Sequence, residues 1–194
     1  MAKLKVVLIS GSTGCGKTTL AEALRDVLPR SEIIAMDNPV QHLRENIEGG
    51  IGMNVADAVR RKLKQCVVFD KIIARAFEGK LAADIDGSDA DYCIVDWFRL
   101  PLTHLWQNNG FYRVVVSSPE ELAWQRYYDR ERARGITSTG RGDYAKTMAE
   151  FAVNHENFAP IMKKIPRDFT FHHEYDTNGR WQENFDALRE TLNR

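Results

Sequence analysis

Apolar residues follow two rhythms along this chain. Short, dense runs rich in β-branched residues read as buried strands: Lys5–Ser10 (KVVLIS), Glu32–Met36 (EIIAM), Tyr92–Val95 (YCIV), Tyr112–Val116 (YRVVV) and Phe169–Glu174 (FTFHHE). Between them the apolar spacing stretches to that of a helix. Lys17–Leu28 places Leu20, Ala21, Leu24, Val27 and Leu28 on one helical stripe. Val40 to about Phe77 reads as mostly helical, interrupted at Gly49-Gly50-Ile51-Gly52. Leu102–Gln107 starts a short helix that Asn109-Gly110 ends. Pro119–Arg134 reads as a long helix, with Glu120 and Glu121 in its first turn and arginines near its end, as the helix dipole favours. Trp181–Leu192 is a closing helix. Two stretches are less regular: Ala82–Ala90 (AADIDGSDA) is acidic and turn-rich, and Gly135–Gly142 (GITSTGRG) reads as a mobile loop. Strands separated by helices predict an α/β fold, a parallel sheet with helices on both faces.

Composition narrows the class. A length of 194 residues suits about one domain, large enough to bury its own core. The 43% hydrophobic content excludes a disordered tail. Equal numbers of basic and acidic side chains, 27 each, exclude a generally basic nucleic-acid coat. No apolar run approaches the ~20 residues that span a bilayer, so no membrane association is expected. Cys15, Cys66 and Cys93 are too few and too scattered for a disulfide framework or a zinc cluster. A reduced, cytoplasmic protein is expected.

The most specific signal is Gly11-Ser12-Thr13-Gly14-Cys15-Gly16-Lys17-Thr18, which satisfies G-x-x-x-x-G-K-[ST] at every fixed position. An apolar strand precedes it and an amphipathic helix follows, the context the motif requires. Successive backbone N–H groups in such a loop converge on phosphate oxygens at the positive end of a helix dipole. Lys17 reaches the β- and γ-phosphates, and the Thr18 hydroxyl is placed to ligate Mg²⁺. Gly11 through Thr19 are therefore the expected ATP-binding residues. The bland alternative is a glycine-rich strand–helix turn. Cys15 lies inside the loop, where positive potential would lower its pKa; a small filler is the simpler role.

On these residues the chain resembles a small P-loop kinase of the nucleotide, nucleoside and polynucleotide kinase group. The likeness in element order extends over nearly the whole chain, although only the phosphate loop is motif-grade. It does not resemble a GTPase, because no N-K-x-D base-recognition motif is present. The resemblance implies the P-loop NTPase fold: a five-stranded parallel sheet, helices on both faces and a helical lid. It also implies one kinase domain over residues 1–194, an acceptor-binding region near 40–90 and a lid near 124–146.

Asp37 follows the second strand, at the carboxyl edge of the sheet where ligands bind. A carboxylate there accepts the proton of an attacking hydroxyl. The placement resembles hydroxyl-phosphorylating P-loop kinases, uridine-kinase-like enzymes and the bacteriophage polynucleotide 5′-hydroxyl kinase among them. Asp37 before Asn38-Pro39 is also good turn chemistry. Arg44, about two helical turns on, is either a clamp for an acceptor phosphate or a solvated arginine. Asp96 ends the third strand as apolar-apolar-Asp and looks like a Walker B carboxylate for Mg²⁺. Trp97, Phe98 and Arg99 follow; an aromatic pair beside an arginine suits a base-stacking platform, although aromatics at this spacing more often belong to a core. Trp97 and Arg99 are the expected acceptor-binding pair.

Arg126, Arg130, Arg132, Arg134, Arg141 and Lys146 fall among three acidic residues, Asp129, Glu131 and Asp143. This local excess of positive charge looks like the lid of small P-loop kinases, whose arginines stabilise the transferring phosphoryl group. A charged solvent-facing helix is the plain alternative. Arg126 and Arg130, at i and i+4, share a face and are the first choices as catalytic arginines, with Arg134 next. Asn178, in Asp176-Thr177-Asn178-Gly179, holds the position from which related kinases contact adenine, or is part of a simple turn. His172 and His173 alternate faces in a strand and form no metal pair.

The expectation is an ATP- and Mg²⁺-dependent phosphotransferase acting on a hydroxyl of a nucleoside, nucleotide or nucleic acid. One concrete version is a phage-type kinase acting on DNA ends or hydroxymethylated bases. The alternatives are a (deoxy)nucleoside monophosphate kinase and a nucleotide-binding ATPase or regulatory module without a phosphate acceptor.

Overall fold

Alternating side-chain direction along the apolar runs builds a sheet buried on both faces. The computed structural model describes residues 4–36, 67–133, 151–152, 158, 170–174 and 180–194. Its strands are β1 (Lys5–Gly11), β2 (Ser31–Ala35), β3 (Tyr92–Asp96), β4 (Tyr112–Ser117) and β5 (Thr170–Glu174). Its helices are α1 (Lys17–Val27), α2 (Val67–Asp86), α3 (Glu120–Ala133) and α4 (Arg180–Leu192). The strands form one five-stranded sheet in the order β2-β3-β1-β4-β5, with every neighbouring pair parallel.

The two-residue period of β1 divides the core. Val6 and Leu8 face one side with Cys93 and Val95 of β3 and Val115 of β4. There they pack against Ile73, Ala74, Leu81 and Ile85 of α2 and against Leu100 and Trp106. Val7 and Ile9 face the other side with Ile94, Val114 and Val116, beneath Leu20, Ala21 and Leu24 of α1 and Phe185, Leu188 and Leu192 of α4. The central strand is thus apolar on both faces, as a parallel sheet requires.

The C-terminal helix is tied to the first strand. Lys5 Nζ donates to the Leu192 carbonyl at 2.6 Å, and the Tyr92 hydroxyl donates to the same oxygen at 3.2 Å. A cation at the negative end of the α4 dipole is well placed. Among the described residues no helix is long and apolar enough to cross a membrane.

Several elements differ from the pattern-based expectation. Val27, expected on the α1 stripe, is 44% exposed, because it lies at the flank of that stripe in the last turn. The helix expected over Leu102–Gln107 is two short 3₁₀ turns, Leu100–Leu102 and Leu105–Gln107. Thr103 divides them. Its backbone is extended, and its hydroxyl donates to the Leu100 carbonyl at 2.7 Å while accepting from the Trp106 N–H at 3.4 Å. The acidic stretch from Ala82 is helical as far as Asp86, since Leu81 and Ile85 keep α2 on the sheet; the turn starts at Gly87. The expected helical segment from Val40 with its glycine interruption, up to residue 66, and the loop Gly135–Gly142 lie outside the described residues.

Candidate active site

The site grows from the carboxyl ends of β1 and β3, neighbours in the sheet. Chain leaving β1 at Gly11 must enter α1 at Lys17 within five residues. It does so through left-handed conformations at Gly14 (φ 77°) and Gly16 (φ 100°), which only glycine adopts without strain. Gly16 is also the N-cap of α1, so the first free N–H groups of that helix border the loop. At Gly14 the loop packs against the next element: a Cβ there would overlap the backbone carbonyl of Ala123 in α3.

Two hydrogen bonds hold the side chains of Lys17 and Thr18. Lys17 Nζ donates to the Ser12 carbonyl at 2.8 Å. Thr18 Oγ1 donates to Asp96 Oδ2 at 2.6 Å, across 78 positions of sequence. The β1–β3 register explains the second bond. Ile9 is opposite Asp96, so the strand-end carboxylate lies level with the root of the loop. Asp96 is 7% exposed and is held from both sides of β3. The Trp97 N–H donates to the Ile9 carbonyl at 3.1 Å, and the Met36 N–H donates to the Asp96 carbonyl at 3.3 Å. Asp37 is the next residue in the chain after Met36 and itself lies outside the described residues, as do Arg44 and Asn178.

Cys15 is fully buried within the loop. Burial raises its pKa, and the Lys17 ammonium offsets this only in part. Desolvation therefore outweighs the positive potential of the loop.

Past Asp96 the sequence-based assignment needs correction. Trp97 is fully enclosed in the apolar cluster beneath α2 and offers no face for stacking; its bulk is core. Arg99 is 3% exposed, with its guanidinium 4.0 Å from the centroid of the Phe98 ring. The partly exposed aromatic surface at this corner is that of Phe98.

Arg126 and Arg130 both lie on α3, whose backbone touches the phosphate loop at Gly14. Arg126 is one helical turn beyond Ala123 and so projects from the same side of the helix. Arg130 is exposed, 3.3 Å from Glu131 and 5.2 Å from the Tyr127 ring centroid. Trp124 and Tyr127 pack against Phe151 with ring centroids 5.4 and 5.7 Å apart. These contacts join α3 to chain beyond the expected lid. Arg134, Arg141 and Lys146 lie outside the described residues.

Two contributors escaped the sequence reading. Ser10 is completely buried, and its hydroxyl donates to the Phe98 carbonyl at 3.0 Å. Ala123 meets the loop through its backbone, which leaves no side-chain signal. The signal for Ser10 was available: a polar residue closing an otherwise apolar strand.

A parallel sheet of this order, with a phosphate loop on the central strand and a facing carboxylate on its neighbour, defines a small P-loop kinase-type protein. The Zeta toxin family model matches residues 2–177, and the chain belongs to the Zeta toxin family. Among solved structures the chain is similar to TT1252 from Thermus thermophilus, with 18% identity and a TM-score of 0.58. That alignment covers 98% of this chain and 97% of the other, and it shows a shared fold. A shikimate kinase from Bacteroides thetaiotaomicron aligns with 14% identity and a TM-score of 0.49, over 99% of this chain and 100% of that one. No curated protein matches the chain significantly.

Proposed function

We propose that this protein is an ATP- and Mg²⁺-dependent phosphotransferase that moves the γ-phosphate to a hydroxyl of a nucleoside, nucleotide or nucleic acid. The observation that carries this reading is the Thr18–Asp96 pair, 2.6 Å apart at the mouth of the phosphate loop. A hydroxyl and a carboxylate are hard oxygen donors, the chemistry that Mg²⁺ takes, and both come from rigid element ends. The site therefore fits the ion, and Thr18 and Asp96 are the residues that would hold it. Bound there with ATP, Mg²⁺ neutralises charge on the β- and γ-phosphate oxygens.

The remaining roles belong to the chain. Loop amides from Gly11 to Thr19 grip the phosphates. Lys17 exchanges its Ser12 carbonyl partner for phosphate oxygen. Asp37 takes the proton of the attacking hydroxyl, and Arg126 and Arg130 stabilise charge on the transferring group. Asn178 serves the adenine ring. Arg44 serves the acceptor, and Arg99 backs the Phe98 ring on that side.

The test uses γ-labelled ATP with Mg²⁺ and pools of nucleosides, nucleoside monophosphates, 5′-hydroxyl oligonucleotides and hydroxymethyl-base DNA. Label is expected on a hydroxyl, and Asp37→Asn is expected to lower turnover by about 10²–10⁴, the usual contribution of a general base. Label on a monophosphate, with Asp37→Asn near wild type and Arg44→Ala strongly impaired, would overturn the hydroxyl reading in favour of a monophosphate kinase. Label released only as inorganic phosphate would leave an ATPase.

A further inference from the structure

Ser10 sits where a strand of Val, Leu and Ile would be expected to end on another apolar residue. Its side chain is completely buried, a position that penalises a hydroxyl without a partner. The partner is the Phe98 carbonyl at 3.0 Å, two residues beyond Asp96. Asp96 is thus bracketed. The Met36 N–H holds its carbonyl from the β2 side. The Trp97 N–H and the Phe98 carbonyl are tied to Ile9 and Ser10 on the β1 side. In this set the Ser10 bond is made by a side chain, and its residue adjoins the first glycine of the loop. Between the bracketed backbone and the loop lies the Thr18–Asp96 contact.

From this arrangement we infer that Ser10 is a positioning residue for the metal site: its hydroxyl locks the turn after β3 to the root of the phosphate loop and so sets the distance from Asp96 to Thr18. The inference rests on the Mg²⁺ site of the proposed function. Without the hydroxyl, the Phe98 carbonyl loses its tie to Ser10, and the turn after β3 is held less firmly to β1, with the Trp97–Ile9 bond remaining. Loop amides and Lys17 are untouched, so the phosphate grip itself persists. Ser10 therefore governs how well Mg²⁺ supports nucleotide binding rather than whether nucleotide binds.

Binding of a non-hydrolysable ATP analogue, measured by calorimetry across a Mg²⁺ titration and in EDTA, tests this. Ser10→Ala is expected to raise the Mg²⁺ concentration for half-maximal binding about tenfold, the low end of the effect of removing a group that orients a metal ligand. Affinity in EDTA is expected to stay as in wild type. Ser10→Cys, of similar size but a weaker donor, is expected to fall between the two. Thr103→Ala is the comparison for stability alone, because it removes another buried hydroxyl of the same segment, farther along the chain from Asp96. It is expected to lower the melting temperature without changing the Mg²⁺ requirement. An unchanged Mg²⁺ requirement in Ser10→Ala, or an equal shift in Thr103→Ala, would overturn the positioning role while the metal site stands. Wild-type binding indifferent to Mg²⁺ would overturn both.

Discussion

Cys15 occupies the middle of the phosphate loop, near the Lys17 ammonium, yet its side chain is fully buried. Reactivity belongs to the thiolate, and burial holds this group in the thiol form despite the neighbouring cation. Iodoacetamide at pH 8, followed by mass spectrometry at each site, is expected to label Cys15 more than about tenfold slower than a free peptide thiol. Rapid labelling of Cys15 that ATP prevents would show an open, activated thiol instead. Charge taken alone suggests the opposite outcome, because a cation nearby in sequence is visible and the solvent excluded by folding is not. Trp97 escaped for the same reason. Its neighbours Asp96 and Arg99 suggest a site, while its enclosure depends on α2 packing from above. Lys17, Thr18 and Asp96 were legible because their placement depends on strand ends and a fixed loop length, both written locally.

At the scale of elements, the contact between the phosphate loop and α3 is a backbone-to-backbone approach. Gly14 has both a positive φ and the Ala123 carbonyl against the place where a Cβ would go. Gly14→Ala should therefore strain the loop and push α3 outward together. The expected loss is at least about 1–3 kcal/mol of stability, measured by urea unfolding, with nucleotide binding weakened in parallel. Normal stability with normal nucleotide binding would mean that the loop and α3 do not meet in this way. The strands were readable to within a residue or so at their ends, since dense β-branched runs between polar breaks leave little freedom. The segment from Leu100 to Gln107 was not. Its apolar residues suit a helix, but the Thr103 hydroxyl bonds to nearby backbone groups and breaks it into two turns. Glu78 of α2 then fixes the second turn by accepting from the Leu105 N–H at 3.0 Å. Such long-range capping has no local signature.

For the whole molecule, global stability should fall at alkaline pH through a residue remote from the chemistry. Cys93 is buried on β3 beside the edge strand β2, and its thiol is pushed up from 9.0 to about 12 by burial, then by the negative charges of Glu32 and Asp84. Between those two values the unfolded chain releases the proton and the folded one keeps it. Folding stability should therefore drop as pH rises through this window, by about 1.4 kcal/mol per pH unit for one such group. Below the window the group contributes no pH dependence. Urea midpoints at pH 8, 9.5 and 11 for wild type and Cys93→Ala check this. The variant is expected to lose less stability over the same range, and parallel curves would sink the assignment. The alternation of strand and helix made the sheet architecture legible at this scale. Strand order was not, because which strands become neighbours depends on how helices cross the two faces. Order of synthesis gives the Lys5–Leu192 tie a further meaning. The phosphate loop precedes α4 in order of synthesis, so the face of the central strand that α1 covers in part is completed when α4 has emerged and its final turn reaches Lys5. A nascent chain thus carries the motif before it carries the finished core beneath it, which separates the birth of the loop from the completion of its support.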